Sequence, residues 1–148
     1  MEESKFELKS TNLSDVQDYL KENAGNIMWS DRPFSKYMKE IIKKKNIKQR
    51  EVFLWADVPE RYGYKLLSEE KRTRQRDVIL RICYAAKFTL EETQEALRIY
   101  GMPQLYEKMP RDVVLILCFR DRPGTVNDVN VVLRKHGMEE LRASGVQE

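Results

Sequence analysis

From Pro33 onward the apolar residues recur with helical spacing. Phe34, Tyr37, Met38, Ile41 and Ile42 stand at i, i+3, i+4, i+7 and i+8, one face of a helix that begins near Pro33. Lys43, Lys44 and Lys45 close it, where cations suit a helix C-terminus. In NIKQREVFLWA, Val52, Phe53, Trp55 and Ala56 are the candidates for burial. Asp57 is expected to cap the next helix, ERYGYKLLS, with Pro59 in its first turn and Glu60 at capping-box spacing. A basic turn, EEKRTRQ, precedes a fourth helix in RDVILRICYAAK. Ahead of Pro33, Asn12 and Ser14 offer N-caps to a short helix, DVQDYLKENA, with Val16, Tyr19 and Leu20 on one face and Gly25 at its end. Trp29 is expected to dock the irregular NIMWSDRP segment onto the body. The pattern predicts an all-α protein.

The C-terminal half repeats itself. RDVILRICYAA, starting at Arg76, recurs as RDVVLILCFRD, starting at Arg111. After one inserted residue LEETQEALRIYGMPQL matches VNDVNVVLRKHGMEEL. Thr89 with Glu92, and Thr125 with Asp128, have capping-box spacing. Gly101 and Gly137 sit where a helix C′ glycine belongs. Each copy, 76–106 and 111–142, therefore reads as a helical hairpin, and two copies are expected to pack as a small helical cap. The organisation expected is an N-terminal extension (1–32), a central domain (33–88) and a hairpin region (89–148).

Charge sharpens the picture of the centre. From Phe34 to Arg81 fourteen Lys and Arg face seven Asp and Glu, while the flanks are mildly acidic. A basic centre suits a polyanion partner, or it solvates helix faces. Hydrophobic residues at 41% and charged residues at 34% fit a globular chain and argue against wholesale disorder. No apolar run approaches the roughly 20 residues of a membrane span, so no membrane partner is expected. The start, MEESKFELKS, lacks the apolar stretch of a secretory signal, and a cytoplasmic location is the expectation. Cys83 and Cys118 lie inside apolar stretches and read as small buried hydrophobes. With one histidine, His136, they cannot complete a four-ligand zinc site. His136 reads as a helix-end residue, and the Arg-Asp pairs 76–77 and 111–112 as ion pairs or caps. No phosphate loop, HExxH, GxSxG or paired-carboxylate motif appears. Neither a cofactor nor an enzymatic activity is expected.

The segment KNIKQREVFLWADVPERYGYKLLSEEKRTRQRDVI resembles the DNA-binding head of the Cro and lambda-repressor superfamily, the Xre-type regulators. The family's spaced apolar positions fall on Val52, Ala56, Val58 and Leu66. Together with the duplicated hairpins, the match is similar to a subgroup common in Gram-positive bacteria and spans about residues 34–141. It implies a lambda-repressor-like helix-turn-helix bundle with two appended hairpins, and a recognition helix at about 59–67 in the major groove. Gln49 would contact the DNA backbone, Arg61, Tyr62 and Lys65 would face the groove, and Arg50, Lys71, Arg72 and Arg74 would meet phosphate. Lys44, Lys45 and Lys48 stand close enough to assist. Double-stranded DNA, a homodimer and a protein partner on the C-terminal hairpins are the partners implied. Three residues depart from the family: Phe53 replaces a small residue, Asp57 a turn glycine and Gly63 a branched aliphatic. Phe53 and Gly63 are expected to meet and exchange volume. Glu69 and Glu70 set negative charge beside the phosphate contacts. The alternative they raise is a protein-interaction adaptor on a helix-turn-helix scaffold that has lost DNA binding.

Overall fold

The computed structural model describes residues 11–23 and 32–143. Among these there are helices and their connections, with no strand. In the first part a 3-10 turn, Leu13–Asp15, leads into α1 (Val16–Glu22). Its entry differs from expectation: Asp15 is the N-cap of α1, and neither it nor Asn12 makes a side-chain cap bond. Asn23 ends α1, its Nδ2 donating to Tyr19 O at 3.0 Å. Gly25 and Trp29 lie outside the described residues.

The second part holds seven helices: α2 (Pro33–Lys44), α3 (Gln49–Ala56), α4 (Glu60–Leu67), α5 (Arg76–Ala85), α6 (Leu90–Tyr100), α7 (Pro110–Asp121) and α8 (Val126–Lys135). They share one hydrophobic core. Along α2 the predicted stripe divides by depth: Phe34, Met38 and Ile42 are buried, while Tyr37 and Ile41 pack at the margin. Helix α5 is central, packed against α3, α6 and α8, and every residue from Asp77 to Ala85 is buried. Both cysteines are buried free thiols. Burial pushes the Cys83 thiol well above its usual range, which leaves it without thiolate reactivity at neutral pH.

The sequence repeat is a structural repeat. Thr89 and Thr125 cap α6 and α8 through reciprocal bonds with Glu92 and Asp128. Gly101 and Gly137 take positive φ, 89° and 72°, and let the chain leave each helix. The Arg-Asp dipeptides pair across the copies, not within them. Arg76 grips Asp112 through both carboxylate oxygens (2.5 and 3.2 Å), and Arg111 grips Asp77 likewise (3.0 and 3.1 Å). Each arginine also holds the tail of its own copy, Arg76 at Pro103 O and Gln104 O and Arg111 at Glu139 O and Glu140 O. Each aspartate accepts from the same tail that its arginine partner holds, Asp112 from Tyr106 N and Asp77 from Arg142 N. Exchanging α5–α6 with α7–α8 maps every one of these bonds onto its counterpart. The clamp ties the two hairpins into one body.

A third set of turn landmarks was hidden in the sequence. The connection from α2 into α3 repeats the landmarks of the two hairpin turns, although α2 packs on α4 and α6 and not on α3. The helices before all three turns close on positive-φ residues, Asn46 (59°), Lys87 (62°) and Arg122 (53°). Glu51 repeats the capping acid, accepting from Lys48 N at 3.2 Å, although a lysine side chain cannot return the bond. Asp57, at φ 57°, stands where Gly101 and Gly137 stand. Asp57 therefore terminates α3 and does not cap α4, whose N-cap is Pro59 without a side-chain bond.

Candidate nucleic-acid interface

Three residues, Asp57, Val58 and Pro59, separate α3 from α4. Val58 is buried and its N–H bonds Phe53 O at 3.0 Å, which pins the turn to the end of α3. Asp tolerates the left-handed conformation because its short polar side chain adds little crowding. The four apolar positions that carried the resemblance, Val52, Ala56, Val58 and Leu66, are all buried.

Helix α4 buries Gly63, Leu66 and Leu67 and turns Glu60, Arg61 and Tyr64 outward, with Lys65 half-buried beside them. Gly63 is required by its neighbour. A Cβ there would lie 2.4 Å from Phe53 Cδ1, so the large ring occupies the volume that the missing side chain vacates. The expected exchange is present. Phe53 also meets Tyr64 edge to face, with ring centroids 4.9 Å apart. Tyr62, expected in the groove, packs against the core, and Tyr64 is the exposed tyrosine at 41%. The reason is helical geometry, since Tyr62 shares the face of Leu66, four residues on.

The N-termini of α3 and α4 lie side by side, with Arg50 Nε 3.8 Å from Glu60 Oε1. Gln49 begins α3 at the margin of this face, half-buried, and Arg50 and Lys48 are exposed. Beyond α4 the basic turn is anchored. Lys71 N bonds Lys65 O at 3.0 Å, while the Lys71 and Arg74 side chains are exposed. Arg72 is engaged elsewhere: its guanidinium lies 4.0 Å from the centre of the Tyr100 ring and donates to Tyr100 O at 2.6 Å. It holds the turn onto α6. Lys45 is likewise committed, 2.8 Å from Glu92.

The acidic residues divide. Glu69 is turned away, accepting from Ser35 N at 3.0 Å at the start of α2, which supplies the cap that α2 lacks from its own N-cap residue. Glu60 and Glu70 remain on the outer face, sharing an open depression with Arg61, Tyr64 and Lys65. The face is mixed in charge, with Lys48, Arg50 and Lys71 at its borders. Behind it, Trp55 departs from its expected burial: it is 43% exposed, and Leu54 beside it is 76% exposed.

His136 caps the end of α8 and is exposed. Among the described residues no group of three or more His, Cys, Asp and Glu gathers as metal ligands would. No helix of the described residues is long and apolar enough to cross a membrane. Comparison of the chain with protein-family models, curated proteins and solved structures finds no match.

Proposed function

We propose that the chain is a DNA-binding transcriptional regulator whose helices α2 to α5 form a lambda-repressor-like head with α4 as the recognition helix. The observation that carries this is the α3–turn–α4 unit. A three-residue turn with a left-handed first residue joins two eight-residue helices whose N-termini lie together at the surface. Arg61, Tyr64 and Lys65 are the groove-facing side chains, with arginine able to read guanine bidentately. Gln49, Lys48, Arg50, Lys71 and Arg74 border the same face and would meet phosphate, where contacts position without reading sequence. Arg72 and Tyr62 leave the list, and Tyr64 joins it. The role is non-enzymatic. One head spans a half-site, so the active form is a homodimer, and the exposed Leu117 and Val131 of the C-terminal hairpins are its candidate contacts.

Selection of bound duplexes from a random pool tests the reading. Wild type should enrich one motif in two half-sites, and Arg61→Ala should lose preference at one or two positions, a discrimination of ~1–3 kcal/mol. A pool that stays random for the wild type contradicts it.

A second reading, an adaptor that recognises protein, draws on Glu60 and Glu70 beside Arg61 and on the exposed Leu54. It predicts loss of partner capture in Leu54→Asp without any duplex binding by the wild type.

A further inference from the structure

Trp55 forms one wall of a cleft of about 610 Å³ whose other walls belong to the two C-terminal hairpins. Tyr84 and Ala85 come from the end of α5, Val126 from the start of α8, and Gly124 and Thr125 from the turn before it. The volume lies within the ~300–1,000 Å³ typical of small-molecule sites, and the lining is chiefly apolar and aromatic.

Two cations complete the lining, and no carboxylate does. They are structural equivalents: Lys87 follows α5 and Arg122 ends α7, each at positive φ. Both therefore turn from helix ends into the same cleft. Arg122 is fixed. It donates to Tyr84 O at 2.8 Å and to Phe88 O, and stacks 4.4 Å from the centre of the Tyr84 ring. Lys87 is exposed, its ammonium 5.7 Å from the centre of the Trp55 ring. Among the described residues neither has a carboxylate within ion-pair distance. Asp128, beside Gly124, is taken up by the Thr125 cap, and Glu92, the acid whose charge reaches Arg122, is paired with Lys45. Two positive charges without an ion-paired carboxylate on an apolar wall favour an anion with an apolar body.

We propose that this cleft binds a small organic anion, an aromatic body of about two rings lying on the exposed face of Trp55 with one carboxylate or sulfonate at Lys87 and Arg122. The site is independent of DNA binding, since none of its residues belongs to the α4 face. It also explains the exposure of Trp55: the indole is the surface on which the ligand's rings lie.

The probes are 8-anilino-1-naphthalenesulfonate and its uncharged parent, N-phenyl-1-naphthylamine, titrated into the full chain by fluorescence and calorimetry. The sulfonate should bind one site per chain, at least tenfold tighter than the neutral probe. Lys87→Met, an exposed change that keeps the aliphatic stem, should weaken the sulfonate at least fivefold and leave the neutral probe within twofold. Trp55→Ala should weaken both. Several weak sites untouched by Trp55→Ala, unchanged sulfonate affinity in Lys87→Met, or no saturable binding would each overturn the proposal. Far-UV circular dichroism and an unchanged urea midpoint show that the variants are folded, so loss of binding reports on the cleft.

Discussion

Helices α5 and α7 share the tripeptide Arg-Asp-Val in their first turns and follow nearly the same pattern, yet they live in different surroundings. In α5 both faces are covered. In α7 only Asp112, Leu115, Cys118 and Phe119 are buried. Ile82 is fully buried, whereas its equivalent, Leu117, is 42% exposed. The cause lies outside both helices: α3 lies across α5, and no described helix lies across the matching face of α7. Burial is thus a property of the neighbourhood, and two equal apolar runs need not bury equally.

The difference is written most sharply at one position. The exposed copy has an aliphatic residue, Ile116, and the enclosed copy has a charge, Arg81. Arg81 is buried because it is fully used: Nη1 donates to Ala56 O at 3.0 Å, Nη2 to Leu141 O at 2.8 Å and Nε to Arg142 O at 2.7 Å. Burial pulls its pKa below the ordinary value, opposed by Asp57, Asp77 and Glu140, and arginine so placed remains protonated. It joins the carbonyl end of α3 to the C-terminal tail, so the head and the second hairpin share a bond through α5.

That asymmetry predicts the largest effect. Arg81→Ile should cost about 3–4 kcal/mol, since carbonyls at three sites lose a charged donor in the interior. The mirror change, Ile116→Arg, should cost less than about 1 kcal/mol because a half-exposed arginine can reach water. Urea midpoints at constant slope measure both. Equal costs would mean that the two environments do not differ.

The crossed clamp is where the copies are alike, and it predicts equal effects. Arg76→Ala and Arg111→Ala should each cost about 2–3 kcal/mol, because each strands a largely buried aspartate. Double-mutant cycles should find coupling for Arg76 with Asp112 and Arg111 with Asp77, and little within either dipeptide. Coupling inside the dipeptides would contradict the exchange.

Smaller again is the packing where α3 meets α4. Glycine to alanine in an open helix gains about 1 kcal/mol. Gly63→Ala should instead lose about 1–2 kcal/mol, because the new methyl meets the Phe53 ring. Adding Phe53→Leu should recover part of that loss. The smallest effect is acidic. Burial alone would raise the Glu92 carboxyl, but Lys45 and the Thr89 cap outweigh it and hold the carboxyl below its usual range. With a folded pKa below the unfolded value, its stabilisation is present above the ordinary ~4.3 and fades as pH falls through the lower folded value. Glu92→Gln should flatten that acid limb of a stability curve by less than about 1 kcal/mol.

Much of this was legible in the sequence. The helices follow from stripes such as Phe34, Met38 and Ile42, and from caps such as Thr89 with Glu92, because both are local. The Phe53–Gly63 meeting was legible as a paired departure in size. The third set of turn landmarks was hidden because it uses other residues: Lys48 replaces the capping threonine and Asp57 the closing glycine, and α3 is shorter than α6 and α8. The partners of Arg72, Lys45 and Glu69 were not legible, since each lies on another helix. The exposure of Trp55 was hidden for the same reason, because the period of α3 cannot say where α8 begins.

The account rests on the outer face of α3 and α4 meeting a duplex. Titration of a labelled mixed-sequence duplex at low salt, repeated across salt concentrations, asks this directly. With four cations on phosphate per head, Lys48, Arg50, Lys71 and Arg74, the logarithm of affinity should fall against the logarithm of salt with a slope of about −3.6. Lys71→Ala should reduce that slope by about one while leaving the fold intact. Absence of binding at micromolar protein in low salt, or binding indifferent to salt, would contradict the account.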